Sequence, residues 1–219
     1  MKKAAEFLSL SLIFVLALSC ANCAGHKAQP SKEAAATSHP WGHYIGGPPA
    51  TTWNGDGRTM TLLRELRYTD PNGSVWVAPA GATVDGASIP RSLWSFMGGP
   101  FEGKYRNASI LHDVSYDKKN RPPEDCDRMF YHAMRCSGVG PVEAKTMYYA
   151  LLRFGRHWKF QVKRAKPLKL GHKMVARAEP EFPRAVAVNE EEIESARDWI
   201  RNAAPTEKEI ERRAAAQFP

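Results

Sequence analysis

Between residues 106 and 137 the chain contains two helical stretches separated by a break that makes them fold back on each other. The periodicity predicts helices from Arg106 to Tyr116 and from Glu124 to Ser137. Asn120-Arg121-Pro122-Pro123 between them cannot continue a helix, because proline lacks the amide donor and its ring clashes with the preceding turn. Two helices joined by so short a connection pack antiparallel. On the second, Asp127, Phe130 and Met134 fall at i, i+3 and i+7, which is one stripe. An aspartate on an apolar stripe is costly to bury unless something pairs with it. On the first, His112 and Tyr116 are four residues apart and share a face, so His112 is the natural partner of Asp127.

That pairing has two readings. A carboxylate that holds one ring nitrogen of a histidine leaves the other to take a proton from water. Asp113, about 100° further round the helix, is then available to a hard cation. The preceding loop Met97-Gly98-Gly99-Pro100-Phe101-Glu102-Gly103 offers backbone carbonyl oxygens to the same ion. The other reading is structural: a buried His112–Asp127 clamp ties two helices together, with Asp113 on the surface.

Ahead of these helices the sequence reads as strands. Thr59 to Tyr68 and Ser74 to Val77 are two of them, with Asp70-Pro71-Asn72-Gly73 as the turn between. Pro79-Ala80-Gly81 is a second turn, and Ala82 to Val84 a third strand or extended segment. Ser88-Ile89-Pro90-Arg91-Ser92-Leu93-Trp94 reads as a short helix capped by Ser88, with Pro90 in its first turn. Asp85-Gly86 reads either as a tight turn or as a further polar group of the site. Ser88 is either that cap or the nucleophile of a Ser88–His112–Asp127 hydrolase, although no nucleophile elbow surrounds it. An HD-type phosphohydrolase needs further His and Asp ligands on other helices, and the sequence offers no such set.

Gly138 to Pro141 ends the second helix and opens another from Val142 to Trp158, with Met147, Leu151, Phe154 and Trp158 on one face. Further on, Asn189 and three glutamates open an amphipathic helix with Ile193, Ala196 and Ile200 on one side. Thr206-Glu207-Lys208-Glu209 is a capping box for a last short helix. The expected fold is α+β: a small antiparallel β-meander, three packed α-helices, and a helical C-terminal tail peripheral to the chemistry.

The two ends bear on compartment and partners. Lys2 and Lys3 precede an apolar run from Phe7 to Leu18, too short for the roughly 20 residues that span a bilayer. Leu16-Ala17-Leu18-Ser19-Cys20 is an imperfect lipobox, with the large apolar residue one place early. We read residues 1–19 as a signal peptide and Cys20 as a lipidation site, with simple secretion or a retained anchor as the alternatives. Residues 20–40 are a flexible tether, 41–165 the α+β domain, and 166–219 a basic and then amphipathic tail. Net charge is +8, and the nine Lys or Arg between Arg153 and Arg177 meet no acid. For an exported protein such a stretch suits anionic lipid rather than nucleic acid, or is a solvated basic face. Cys126 and Cys136 lie on one helix, about 15 Å apart by rise, beyond the roughly 7 Å reach of a disulfide.

One ordered series of motifs resembles a known family. It runs Ala80-Gly81-Ala82-Thr83-Val84-Asp85-Gly86-Ala87-Ser88-Ile89-Pro90, Leu93-Trp94, His112-Asp113-x-x-Tyr116 and Cys126-Asp127-x-x-Phe130. Over about residues 59 to 155 it resembles domain of unknown function 1353, a family of small phage and bacterial proteins. That resemblance names no activity.

His112-Asp113-x-x-Tyr116 with Cys126-Asp127 is also similar to the core of the secreted phospholipase A2 enzymes. This second resemblance implies His112 as general base, Asp127 as the group that orients it and Tyr116 as a buttress of Asp127. It also implies a calcium ion held by Asp113 and by a loop containing Gly98, Gly99 and Gly103. The chain departs from that family in placing Ser109 and Ile110 before the histidine, in lacking the cross-helix disulfides, and in a shorter loop.

The functions so implied are a calcium-assisted hydrolase of envelope phospholipid, or a non-catalytic envelope lipoprotein of phage or prophage type that binds a partner. If Cys20 is acylated, Cys20→Ser is expected to abolish fatty-acid labelling of the expressed chain; undiminished labelling would contradict the assignment.

Overall fold

Asp70 closes a tight turn between two strands. Its Oδ1 accepts the backbone N–H groups of Asn72 and Ser74, each at 2.9 Å, and its Oδ2 accepts the indole N–H of Trp76 at 3.0 Å. Gly73 sits at φ +81°, a conformation that favours glycine. The turn joins β4 (Leu66–Thr69) to β5 (Val75–Ala78) in antiparallel register, Leu66 opposite Ala78. With β1 (His43–Ile45) they form a sheet of order β1-β4-β5. A second antiparallel sheet has the order β2-β3-β6, from β2 (Thr51–Trp53), β3 (Met60–Leu62) and β6 (Thr83–Val84). The computed structural model describes residues 39–86, 98–99, 101–164, 176–183 and 186–216. The short helix expected at Ser88 to Trp94, the signal segment and most of the tether lie outside them.

The single strand expected from Thr59 to Tyr68 is two strands in different sheets. Leu62 and Leu66 are both buried, whereas Leu63, Arg64 and Glu65 between them are exposed. In an unbroken strand positions 62, 64 and 66 would face the same way, which would carry the Arg64 guanidinium into the core. The chain bends instead, and Arg64 donates to the carbonyl of Pro48 at 2.5 Å. The strands β1 and β2 were not read from sequence. Each is three residues long and mostly exposed, so neither shows an apolar alternation.

A 3-10 turn (Gly103–Tyr105) leads into α1 (Arg106–Lys118), which packs on α2 (Pro123–Cys136), which packs on α3 (Pro141–Phe154). Pro123 and Pro141 each open a helix at a position where the missing N–H has no intrahelical partner in any case. The core lies between the sheets and these helices, with Leu62, Tyr68, Leu111, Phe130, Tyr148 and Leu151 fully buried. Cys126 and Cys136 are both free thiols. Two tail helices, α4 (Glu190–Ala203) and α5 (Glu207–Ala216), pack on α3 and bury Ile193, Ala196, Ile200, Ile210 and Ala214. Arg153–Glu192 and Arg128–Glu211, both at 2.9 Å, tie the tail to α3 and α2.

The third helix stops at Phe154 rather than at Trp158. Gly155 turns out of the helix with ψ 157° while its N–H still bonds Leu151 O at 2.7 Å; a Cβ there would stand 2.3 Å from that oxygen. Trp158 is nonetheless buried, reached by an extended segment. Beyond it β7 (Lys159–Arg164) pairs antiparallel with β8 (Ala176–Glu181), Lys159 opposite Glu181. The basic stretch thus contains a hairpin that its charge pattern did not announce. Among the described residues no helix is long and apolar enough to cross a membrane.

Asp70→Ala is expected to cost about 1–3 kcal/mol, because it leaves the buried Trp76 donor and two backbone donors unpaired. Urea denaturation measures this, and an unchanged midpoint would contradict the role given to the turn.

Candidate functional site

The antiparallel packing of α1 on α2 brings His112 and Asp127 together across the core. His112 Nε2 lies 2.8 Å from Asp127 Oδ1, and the Tyr116 hydroxyl donates to the same oxygen at 2.7 Å. The other oxygen, Oδ2, lies 2.8 Å from Nε2 of His157. One carboxylate is thus shared by two imidazoles and a phenol. His112 and Asp127 are 0% exposed, whereas the His157 side chain keeps 18% of its surface. The His112 ring packs on Tyr116 and Phe130, with ring centroids 4.2 and 5.0 Å away, and Trp158 meets Tyr116 edge-on at 4.9 Å.

The electrostatics follow from this packing. Burial alone would raise the Asp127 carboxyl. The hydrogen bonds from His112 and His157, and the attraction of those rings, outweigh burial and hold it down to about 2. Burial opposes a charge on His157, but Asp127 raises its pKa above the ordinary histidine value. Tyr116 is pushed well up, by burial first and by Asp127 second, so its hydroxyl stays a donor. Asp127 is therefore an ionised acceptor with N–H and O–H groups arranged to donate to it.

His157 falls inside the helix expected from Val142 to Trp158, and helical spacing there gives it no role. The signal that locates it is Gly155, which ends α3 two residues earlier and lets the chain return to α2.

The remaining expected site residues are placed as follows. Asp113 is buried, and its Oδ2 accepts the backbone N–H groups of Asp85 and Gly86 at 3.1 and 2.5 Å. It therefore lies neither on the surface nor open to a cation, but fastens the Asp85–Gly86 turn to α1. Asp85 pairs through its own side chain with Arg58 at 3.1 Å. Gly99 O accepts from the Tyr105 hydroxyl and from Glu102 N, each at 3.0 Å. Gly98 lies at φ +84° against that hydroxyl, and Gly103 opens the 3-10 turn. Ser88 lies outside the described residues. Of the donors expected to hold calcium, Asp113 and the Gly99 carbonyl thus serve protein N–H and O–H groups. Among the described residues no three His, Cys, Asp or Glu side chains gather as a metal centre. The donor set does not fit a calcium ion, and no step is routed through one.

The comparisons with known proteins agree with the motif series. Residues 60–151 match the family described as "Protein of unknown function (DUF1353)". It is 41% identical over 124 residues to the uncharacterized protein y4jT of Sinorhizobium fredii, a match that covers 56% of this chain and 37% of that one. It is 36% identical over 108 residues to the uncharacterized protein y4iH of the same organism, covering 49% of this chain and 45% of that one. The chain therefore spans less than half the length of these curated relatives. No solved structure matches. His112, Tyr116 and Asp127 lie within the matched segment, and His157 lies just beyond it.

Because the Asp127 carboxyl is held near 2 against an ordinary 3.8, its contribution to stability is complete above about pH 4 and is lost as pH falls toward 2. The raised His157 contributes below its ordinary 6.5, and that contribution is lost as pH rises through the raised value. Asp127→Asn is expected to cost about 3–5 kcal/mol and to flatten both limbs of the stability profile. His157→Gln should flatten the alkaline limb and weaken the acid one, since one of the two rings that hold Asp127 down is removed. Urea midpoints across pH test this, and a profile for Asp127→Asn parallel to the wild type would contradict it.

Proposed function

We propose that this is an exported cell-envelope protein that acts by binding, with the His112–Asp127 pair serving as a structural clamp. The observation that carries the reading is the enclosure of His112. Its Nε2 is committed to Asp127, its faces are covered by Tyr116 and Phe130, and none of its surface meets solvent. A general base must reach the proton it removes, directly or through one water. Export is supported by Lys2 and Lys3, the apolar run to Leu18 and Cys20. The basic residues from Arg156 to Arg177 suit a surface that lies against anionic lipid.

A second reading, a phospholipase A2-like ester hydrolase, is favoured by one specific geometry. His112 and Tyr116 meet a single oxygen of Asp127, the arrangement that the resemblance implies.

One experiment separates the two. Fatty-acid release from mixed phospholipid vesicles is measured with the full chain, with calcium and with chelator, beside His112→Ala. The binding reading expects no release, together with a stability loss of about 3 kcal/mol or more in His112→Ala, since a buried carboxylate loses a partner. Release that requires both calcium and His112, from a variant that folds normally, would establish the hydrolase instead.

A further inference from the structure

The C-terminal end of α1, the end of β6 and the segment after α3 enclose a cleft of about 180 Å³. Its walls include Tyr116, Lys119, Arg156, Trp158 and Phe182. Lys119 ends α1 at φ 47°, a left-handed conformation uncommon outside glycine. That conformation carries its ammonium over the cleft's aromatic rings, 5.9 Å from the centroid of Trp158 and 5.8 Å from that of Phe182. The Arg156 guanidinium lies 5.1 Å from the Phe182 ring. The Lys119 ammonium also donates to the carbonyl of Asp117 at 3.5 Å and attracts its carboxylate.

Two of the cleft's acids are engaged by the protein itself: Asp85 pairs with Arg58, and Asp113 accepts two backbone N–H groups. Asp117 is exposed; partial burial raises its carboxyl and the Lys119 ammonium draws it down. The cleft also holds an unanswered donor. The indole N–H of Trp158 is buried and has no hydrogen-bond partner. A buried donor without an acceptor is destabilising, and an acceptor in the cleft would relieve it. The atom is covered, so a ligand oxygen would have to displace part of the wall to reach it.

We propose that this cleft binds a phosphate-bearing anion, held by Lys119 and Arg156 and completed by the Trp158 indole N–H. A guanidinium presents paired donors that match phosphate oxygens, and an ammonium adds a second, compact charge. The size limits the ligand. Sites for drug-sized molecules run to roughly 300–1,000 Å³, so a cleft of about 180 Å³ takes a headgroup rather than a large organic molecule. The inference rests on the binding reading of the function and names the chemistry of what is bound.

The test is calorimetric titration of the full chain. The probes are inorganic phosphate, glycerol 3-phosphate, and a short-chain phosphatidylglycerol kept below its micelle concentration. Saturable binding is expected, weakened at least tenfold by Arg156→Gln and by Lys119→Gln. Arg156 is exposed and Lys119 has no part in the Asp127 cluster, so both variants should keep the wild-type urea midpoint. A tighter fit for the short-chain lipid identifies a lipid headgroup; a tighter fit for glycerol 3-phosphate identifies a soluble phosphate ester. No saturable heat with any probe, or equal affinity in both variants, would overturn the proposal. That failure is distinct from failure of the binding reading, which only phospholipid hydrolysis would bring about.

Discussion

A buried carboxylate has to be compensated where it stands, and the compensation of Asp127 sets the arrangement of the elements around it. Three donors reach it from two places. His112 and Tyr116 come from one face of α1, and His157 from the segment after α3. The four-residue spacing of His112 and Tyr116 aligns both with one oxygen, which fixes the register of α1 against α2. The early stop of α3 at Gly155 supplies the third donor. Each contact is an ordinary hydrogen bond, but loss of one leaves a charge in the core without its partner, a larger penalty than a lost surface pair brings.

The part of this arrangement that depends on local spacing was legible in the sequence. The two helices, the Pro-Pro break and the position of Asp127 on an apolar stripe were enough to place His112 opposite it. The Asp70-Pro71-Asn72-Gly73 turn was legible for the same reason, since residues within one turn determine it. What depended on distant partners was not. The kink between Leu62 and Leu66 follows from keeping Arg64 out of the core, which a strand template does not register. The role of His157 required knowing that Gly155 redirects the chain, whereas the run of apolar residues at helical spacing continued through Trp158. Asp113 is the instructive case. Read beside His112 it resembled a cation ligand, but its acceptors are used by the backbone of a turn 27 and 28 residues away in sequence.

Those contacts distribute two kinds of chemistry over neighbouring parts of the fold. The interior site around Asp127 is closed, with its donors and acceptors matched. The adjoining cleft shares Tyr116 and Trp158 with that interior but is lined by the cations Lys119 and Arg156, and the Trp158 indole N–H has no acceptor. The closed cluster holds the cleft's floor in place, because the Tyr116 hydroxyl is anchored on Asp127 and the Tyr116 ring meets Trp158 edge-on.

The position of His157 has a consequence for where this domain ends. The segment shared with the family stops at residue 151, before the residue that answers the second oxygen of Asp127. The tail helices that cover α3 lie further on still. A fragment trimmed to residues 60–151 would carry the carboxylate and leave behind one of its donors. The span that the family model recognises is therefore shorter than the span that satisfies its own buried groups.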